Sequence, residues 1–145
     1  MLVRDLHEQT SGRFRILDEE STVQAAADAL AAPRLGLVVV RDASRHTSGV
    51  VTKSDLVRHL ARARAVTLPV TTVMTRTVIT ASPADDLQAT WEQMVRRGLQ
   101  NLPVIGPDRR PIGTLDIRDA LAAILRQEES QEQALINYIA GYGYH

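Results

Sequence analysis

The sequence predicts an α/β fold in which two β-α-β-β-α repeats pack through their sheets with pseudo-twofold symmetry, followed by a C-terminal helical tail. An internal repeat carries this prediction: residues 48–56, SGVVTKSDL, recur as residues 112–120, IGTLDIRDA, 64 positions later. One unit of about 60 residues buries too little apolar surface to be stable alone, so the two copies are expected to share one globule. We therefore divide the chain into repeat 1 (1–64), repeat 2 (65–126) and a tail (127–145).

Each repeat is expected to open with a short strand and an amphipathic helix. In repeat 2 the strand falls at 77–80, and Ser82 is predicted to cap the helix, with Pro83 at its first position and Asp85 at the third. Asp18 and Ser21 are predicted to start the matching helix of repeat 1. The predicted buried faces have helical spacing and comprise Val23, Ala26, Ala27 and Leu30 in repeat 1 and Leu87, Trp91, Met94 and Val95 in repeat 2.

Two strands and a second helix complete each repeat. The apolar runs 35–40 and 102–105 predict buried central strands, and Gly98 is expected to end the helix before the second run. Loops at 41–47 and 106–111 lead to the next strands, and residues 62–72 form the connector between repeats. The faces predicted for the closing helices are Leu56, Val57, Leu60 and Ala61, matched by Ala120, Leu121, Ile124 and Leu125.

Composition narrows the class of protein. The chain has 17 Lys+Arg and 17 Asp+Glu, so its net charge is zero and gives no overall attraction to nucleic acid or anionic membranes. Its apolar runs are far shorter than the ~20 residues of a membrane helix, and we expect a cytoplasmic protein with no membrane contact. The absence of cysteine removes disulfides, thiol catalysis and zinc-thiolate sites.

The repeated motif places polar groups where a strand meets a helix. Thr52 is predicted at the N-cap and Asp55 at the third helical position, where free amide groups and the helix dipole favour an anion. Asp55 is suited to accept from ribose hydroxyls, while Lys53 and Ser54 are suited to phosphate. Gly49 allows a close backbone approach. The same residues also fit a capping box that serves only its own helix, and the local sequence favours that alternative.

These residues, together with Leu102-Pro103-Val104, resemble the cystathionine-β-synthase-type (CBS) domain, and the two copies resemble a CBS pair, or Bateman module, over residues 3–126. The resemblance implies regulatory binding of an adenosine-containing ligand such as AMP, ADP, ATP or another adenosyl compound in clefts between the repeats, without catalysis. No cofactor is required, and a role for Mg²⁺ stays open.

The resemblance also implies two sets of ligand-binding residues. The first cleft comprises Val50, Thr52, Lys53, Ser54, Asp55, Val78, Ile79, Thr80 and Gln100. The second, weaker cleft comprises Ile16, Gly36, Asn101, Thr114, Asp116, Arg118 and Asp119.

Asp116 departs from the family pattern, which has Thr or Ser at this position. A carboxylate facing a phosphate disfavours its binding unless Arg118 or a metal compensates, so the second cleft is expected to bind phosphorylated ligands weakly or to stay empty. A plain N-cap role for Asp116 fits the sequence equally well.

Other signals are weaker. Asp55 and His59 lie one helical turn apart, but the spacing of the four histidines gives no metal site. No Gly-x-Ser-x-Gly motif occurs, and we expect no enzyme. The basic end of the helix around Arg58 is interpreted as a solvated face and Trp91 as core.

The sequence therefore predicts a ligand-sensing regulatory module that acts on a partner protein still to be identified. The alternative is a CBS pair with degenerate sites that serves as a dimerisation or interaction scaffold. The tail is expected to prolong the last helix through 127–133, to carry an apolar stripe at Leu135, Ile136 and Ile139, and to break at Gly141 and Gly143. Its three tyrosines favour packing across a homodimer, against the alternatives of folding back or fraying.

Overall fold

The computed structural model describes residues 1–62, 65–76 and 78–143. Helix α1 (His7–Gly12) follows a 3-10 turn at Val3–Leu6, and a second 3-10 turn lies at Val70–Thr72. Repeat 1 contains β1 (Ile16–Asp18), α2 (Val23–Leu30), β2 (Leu37–Arg41), β3 (Thr47–Thr52) and α3 (Lys53–Arg62). Repeat 2 contains α4 (Leu87–Arg97), β4 (Asn101–Ile105), β5 (Pro111–Asp116) and α5 (Ile117–Gly143).

The strands form two small sheets with the same register in both repeats. In the first sheet β1 runs parallel to β2, and β2 pairs antiparallel with β3. In the second, β4 pairs antiparallel with β5, and both antiparallel pairs are irregular at the equivalent point, after Val40 and after Val104. Arg45 and Arg109, 64 positions apart in the two hairpin loops, have φ of 66° and 65°. The α/β fold and its pseudo-twofold repeat are therefore confirmed.

The strand predicted at 77–80 is wrong in its described residues, and a single bridge follows it. Ala81 alone pairs with Val104, and residues 78–80 are irregular, whereas Thr77 lies outside the described residues. The pairing does not continue beyond Ala81 because the amide of Ser82 donates to the Asp85 carboxylate at 2.8 Å and so turns the chain.

The predicted helix starts are wrong by one to four residues. Thr22, rather than Asp18 or Ser21, caps α2, and its hydroxyl accepts from the amide of Ala25. The cap of α4 is Asp86, 64 positions after Thr22, while Ser82 begins the turn that precedes the helix. The helix end at Gly98 is confirmed, because this residue is left-handed with φ of 65°.

The central strands are buried on both faces. Val38 and Val40 pack towards α2 and α3, and Leu37 and Val39 pack on the opposite face with Val50, close to Val78 of repeat 2. The apolar faces of the helices are narrower than predicted. Buried members are Val23, Ala26, Leu30, Leu56, Leu87, Met94, Ala120 and Ile124; Trp91 is half-buried, while Val57, Leu60, Ala61, Val95, Leu121 and Leu125 are exposed.

The repeats exchange the segments that precede their first strands. Val3 and Leu6, at the start of repeat 1, are buried in the core of repeat 2 with Leu87 and Leu115. Part of the predicted connector packs back on repeat 1, where Val70 is fully buried. Each core is thus completed by a segment from outside its own repeat.

The tail continues the last helix, as predicted. Helix α5 runs without interruption for 27 residues and includes Gly141, so the break predicted there is wrong. Leu135, Ile136 and Ile139 stay exposed, so these side chains do not fold back onto the globule. Tyr144 lies outside the described residues. In the part of the chain that the structure describes, no helix combines the length and apolar character needed to cross a bilayer.

Candidate functional site

A cavity of about 260 Å³ lies between the two sheets beside the start of α3. Its walls are largely apolar and come from both repeats, with Asp55 at one side. The predicted residues Val50, Thr52, Asp55, Val78 and Ile79 line it, together with Leu37, Arg58, Thr75, Leu99, Asn101, Leu102 and Pro103. An apolar slot with a carboxylate at its edge can hold a flat ring and a polyol together.

The approach of the chain at Gly49 shapes this cavity. A Cβ atom at Gly49 would lie 2.6 Å from the carbonyl oxygen of Thr75. The neighbouring Val50 exchanges two backbone hydrogen bonds with Thr75, at 3.0 and 2.8 Å. The close approach predicted for Gly49 is confirmed, and it brings Thr75 next to Asp55.

Asp55 is buried and already hydrogen-bonded. Its carboxylate accepts from the Thr52 amide at 2.9 Å, and the Thr52 hydroxyl accepts from the Asp55 amide at 3.3 Å. This is the reciprocal capping box that was the alternative interpretation. Asp55 also pairs with Arg58, whose side chain is 62% exposed, and Thr75 donates to it at 3.4 Å. Capping therefore holds Asp55 at the edge of the cavity, and the exposed Arg58 is the charged partner that a ligand can displace.

A groove of about 620 Å³ adjoins the cavity, since Thr52, Leu99 and Asn101 line both. Lys53 and Ser54, at the start of α3, face Arg118, at the start of α5, across this groove. Two helix N-termini and the side chain of Lys53 favour an anion here. Gly36 and Gln100 complete the set of predicted residues in the groove, so the two predicted clefts meet in one space.

Thr80 is placed away from both spaces. It lines a separate depression of about 430 Å³ with Arg76 and Arg109, at the hairpin loops. Ile16 lies on β1, where it pairs with Val39.

The second cleft has a different electrostatic arrangement. Arg13 donates from Nε and Nη2 to the two carboxylate oxygens of Asp119. Its third nitrogen, Nη1, donates to the Arg34 carbonyl at 2.8 Å and lies 3.6 Å from the Asp116 carboxylate. Arg118 donates to Asp116 from its amide, Nε and Nη2 at 2.8 to 3.1 Å. The two acids and two arginines form a neutral network.

Asp116 is only 3% exposed. Burial alone would raise the pKa of Asp116, but the hydrogen bonds from Arg118 and the charge of Arg13 hold this pKa below its ordinary value. Arg118 thus offsets the negative charge of Asp116, as the sequence analysis required for a carboxylate at this position.

Two other predicted residues of the second cleft carry buried polar atoms. The hydroxyl of Thr114 and Oδ1 of Asn101 have no hydrogen-bond partner among the described residues. The Asn101 amide also fills the space beside Gly36, where a Cβ atom would lie 2.2 Å from its nitrogen.

Sequence reasoning missed Arg13 and Thr75. Arg13 reaches Asp119 across 106 positions, and neither Arg13 nor Thr75 belongs to the repeated motif. His59, the weak metal candidate, is buried with Nε2 against the Ala65 carbonyl. Among residues 1–62, 65–76 and 78–143, no group of three or more His, Asp or Glu side chains is placed to hold a metal ion.

Comparison with known proteins gives one family. A family model described as the CBS domain matches residues 3–62 and again residues 70–126. A curated relative, an uncharacterized 17.7 kDa protein from Acidianus ambivalens, is 29% identical over 104 residues, which cover 72% of this chain but only 63% of that protein.

Solved structures share the fold. A CBS-domain containing protein from Agrobacterium tumefaciens is 28% identical, with a TM-score of 0.73 over 85% of this chain and 98% of its own. A CBS domain protein from Pyrobaculum aerophilum, complexed with AMP, is 24% identical, with a TM-score of 0.72 over 82% of this chain and 89% of its own.

Proposed function

The chain belongs to the CBS domain family, of which it carries two copies, and from this premise we propose that it is a regulatory module that binds an adenosine-containing ligand beside Asp55. The observation that carries the proposal is the cavity between the sheets, in which an apolar slot ends at a buried, oriented carboxylate. The AMP complex of the Pyrobaculum aerophilum protein, which has the same fold, supports this ligand class.

The cavity and the groove bind different parts of the ligand. The adenine ring packs between Val50, Val78 and Pro103, and the ribose hydroxyls donate to Asp55 in place of Arg58. The phosphates lie in the groove at the start of α3, beside Lys53. The cavity of about 260 Å³ is just smaller than most ligand sites, and the groove supplies the remaining volume. This function needs no catalytic group, and the ligand acts by changing how the module associates with a partner.

Calorimetric titration with AMP, ADP, ATP, S-adenosylmethionine and NADH tests the proposal. Asp55→Ala should weaken binding of the preferred ligand by about 5-fold to 150-fold, since a charged hydrogen bond is worth about 1 to 3 kcal/mol. Asp86→Ala is the matched control because it removes the cap of α4 away from the cavity. Unchanged affinity in Asp55→Ala, in a folded protein, would refute the assignment.

A homodimerisation role is the second candidate. Leu121, Leu125, Leu135 and Ile139 are all at least 37% exposed and follow one another along α5. Exposed apolar side chains in this number on one helix are typical of an association surface. We propose that the tail packs on a second copy of the chain, and this surface is the observation that favours the scaffold alternative.

A further inference from the structure

Asp55 and Asp119 are equivalent residues of the two repeats, but their arginine partners differ. Asp55 is held by Arg58 of its own helix, through one nitrogen and with a side chain that is 62% exposed. Asp119 is held by Arg13 from the N-terminal segment, through two nitrogens and with a side chain that is 19% exposed. A planar two-point pair of this kind is more specific and stronger than a single contact.

The rest of the Arg13 guanidinium is also bound. Its Nη1 donates to the Arg34 carbonyl at 2.8 Å and lies 3.6 Å from the buried carboxylate of Asp116. Displacing Arg13 therefore breaks three hydrogen bonds and one ion pair, and leaves Arg118 as the one arginine of the network beside Asp119 and Asp116. Displacing Arg58 breaks one contact, and its side chain moves into water.

Two of the residues predicted for the second cleft nevertheless carry buried polar atoms without a partner among the described residues. Thr114 is 1% exposed and its hydroxyl has no partner among the described residues, while Oδ1 of Asn101, which lines the groove beside Arg118, also lacks one. Unpaired buried polar atoms are costly unless something else meets them. Residues predicted for the second cleft thus keep unpaired polar atoms, while the Asp119 carboxylate is occupied by Arg13.

We propose that Arg13 closes the second cleft by occupying Asp119 in the place of a ribose, so that the chain binds one nucleoside ligand, at Asp55. This inference rests on the proposed function for the identity of the ligand class. It adds that a residue outside both repeated motifs sets the number of ligands, and that the closed cleft opens when this side chain is removed.

Adenosine is the probe, because it carries no phosphate for Asp116 to repel. In an Asp55→Ala background, which removes the first site, Arg13→Ala should raise affinity for adenosine about tenfold or more, measured by calorimetry. Adding Asp119→Ala should abolish the gain. Arg4→Ala, an exposed arginine in the same segment, is the matched control and should give no gain.

Arg13→Lys covers the case in which Arg13→Ala fails to fold, since lysine keeps the charge but makes a weaker point contact and should give a smaller gain. No gain in either folded variant, or a gain that survives Asp119→Ala, overturns the inference. Wild-type protein that binds two adenosines per chain also overturns it. Failure of wild type to bind any adenosine ligand refutes the Asp55 site instead, and a gain in Arg13→Ala would still uphold the closure of the second cleft.

Discussion

Replacement of Gly49 by alanine tests the close approach that shapes the Asp55 cavity. The added Cβ would lie 2.6 Å from the Thr75 carbonyl oxygen and 3.1 Å from the sulfur of Met74. The sulfur can move, but the carbonyl belongs to the backbone and is fixed by its hydrogen bond from Val50 at 3.0 Å. The two segments must therefore separate by several tenths of an ångström, which weakens the two hydrogen bonds between Val50 and Thr75.

Overpacking of this kind costs about 1 to 3 kcal/mol, which corresponds to a fall in melting temperature of about 3 to 10 °C for a chain of this size. Urea unfolding measures the free energy, and an unchanged slope shows that the same surface is exposed on unfolding. Because the displaced carbonyl lies beside Asp55, affinity for the adenosine ligand should fall as well.

Two other glycines provide a graded comparison. A Cβ at Gly113 meets chiefly the Thr10 side chain, at 2.9 and 3.0 Å, so Gly113→Ala should cost less than Gly49→Ala. A Cβ at Gly12 meets nothing within 4 Å, so Gly12→Ala should leave stability unchanged or slightly raised. A Gly49→Ala protein as stable as Gly12→Ala would refute the reasoning.

Two further predictions concern the acidic network and the tail. Asp116→Asn should destabilise the protein by about 1 to 3 kcal/mol at pH 7, because it breaks charged hydrogen bonds of a buried carboxylate. The pKa of Asp116 in the folded state lies below the ordinary 3.8. The stabilising contribution of this carboxylate is therefore present above about pH 4 and is lost as the pH falls through the folded-state pKa. In urea unfolding, the difference in free energy between Asp116→Asn and wild type should be smaller at about pH 3 than at about pH 7. Truncation after Arg126 removes no residue of the hydrophobic cores and should weaken dimerisation without loss of fold, as measured by light scattering on dilution. Leu135→Asp in the full chain should give the same result. A difference that persists at pH 3, or a truncated chain that dimerises as tightly as the full one, would contradict the respective prediction.

The offset of 64 positions between equivalent residues explains which features of the fold could be predicted from the sequence. It aligns the β2–β3 and β4–β5 registers and even the left-handed residues Arg45 and Arg109. The true helix caps, Thr22 and Asp86, also obey this offset, but the Ser-Pro pair at 82–83 is a stronger local signal and it marks a turn.

Other features depend on contacts that local pattern does not encode. Apolar spacing predicts a buried face on α3, yet Val57 is 66% exposed, because only part of that helix meets the core. Val78 and Ile79 were placed at the cavity through the family resemblance. Arg13 is not among the binding residues that the resemblance implies, and its pairing with Asp119 depends on how the N-terminal segment crosses to the other repeat.

The exchange of leading segments makes the two repeats a single cooperative unit. Without Val70 and Met74 repeat 1 has an open core, and without Val3 and Leu6 the same is true of repeat 2. Local unfolding of one repeat thus releases the chain segment that seals the other, and the whole chain unfolds in one transition. A ligand bound at Asp55 would then raise the free energy of unfolding of both repeats equally, including the repeat that binds nothing.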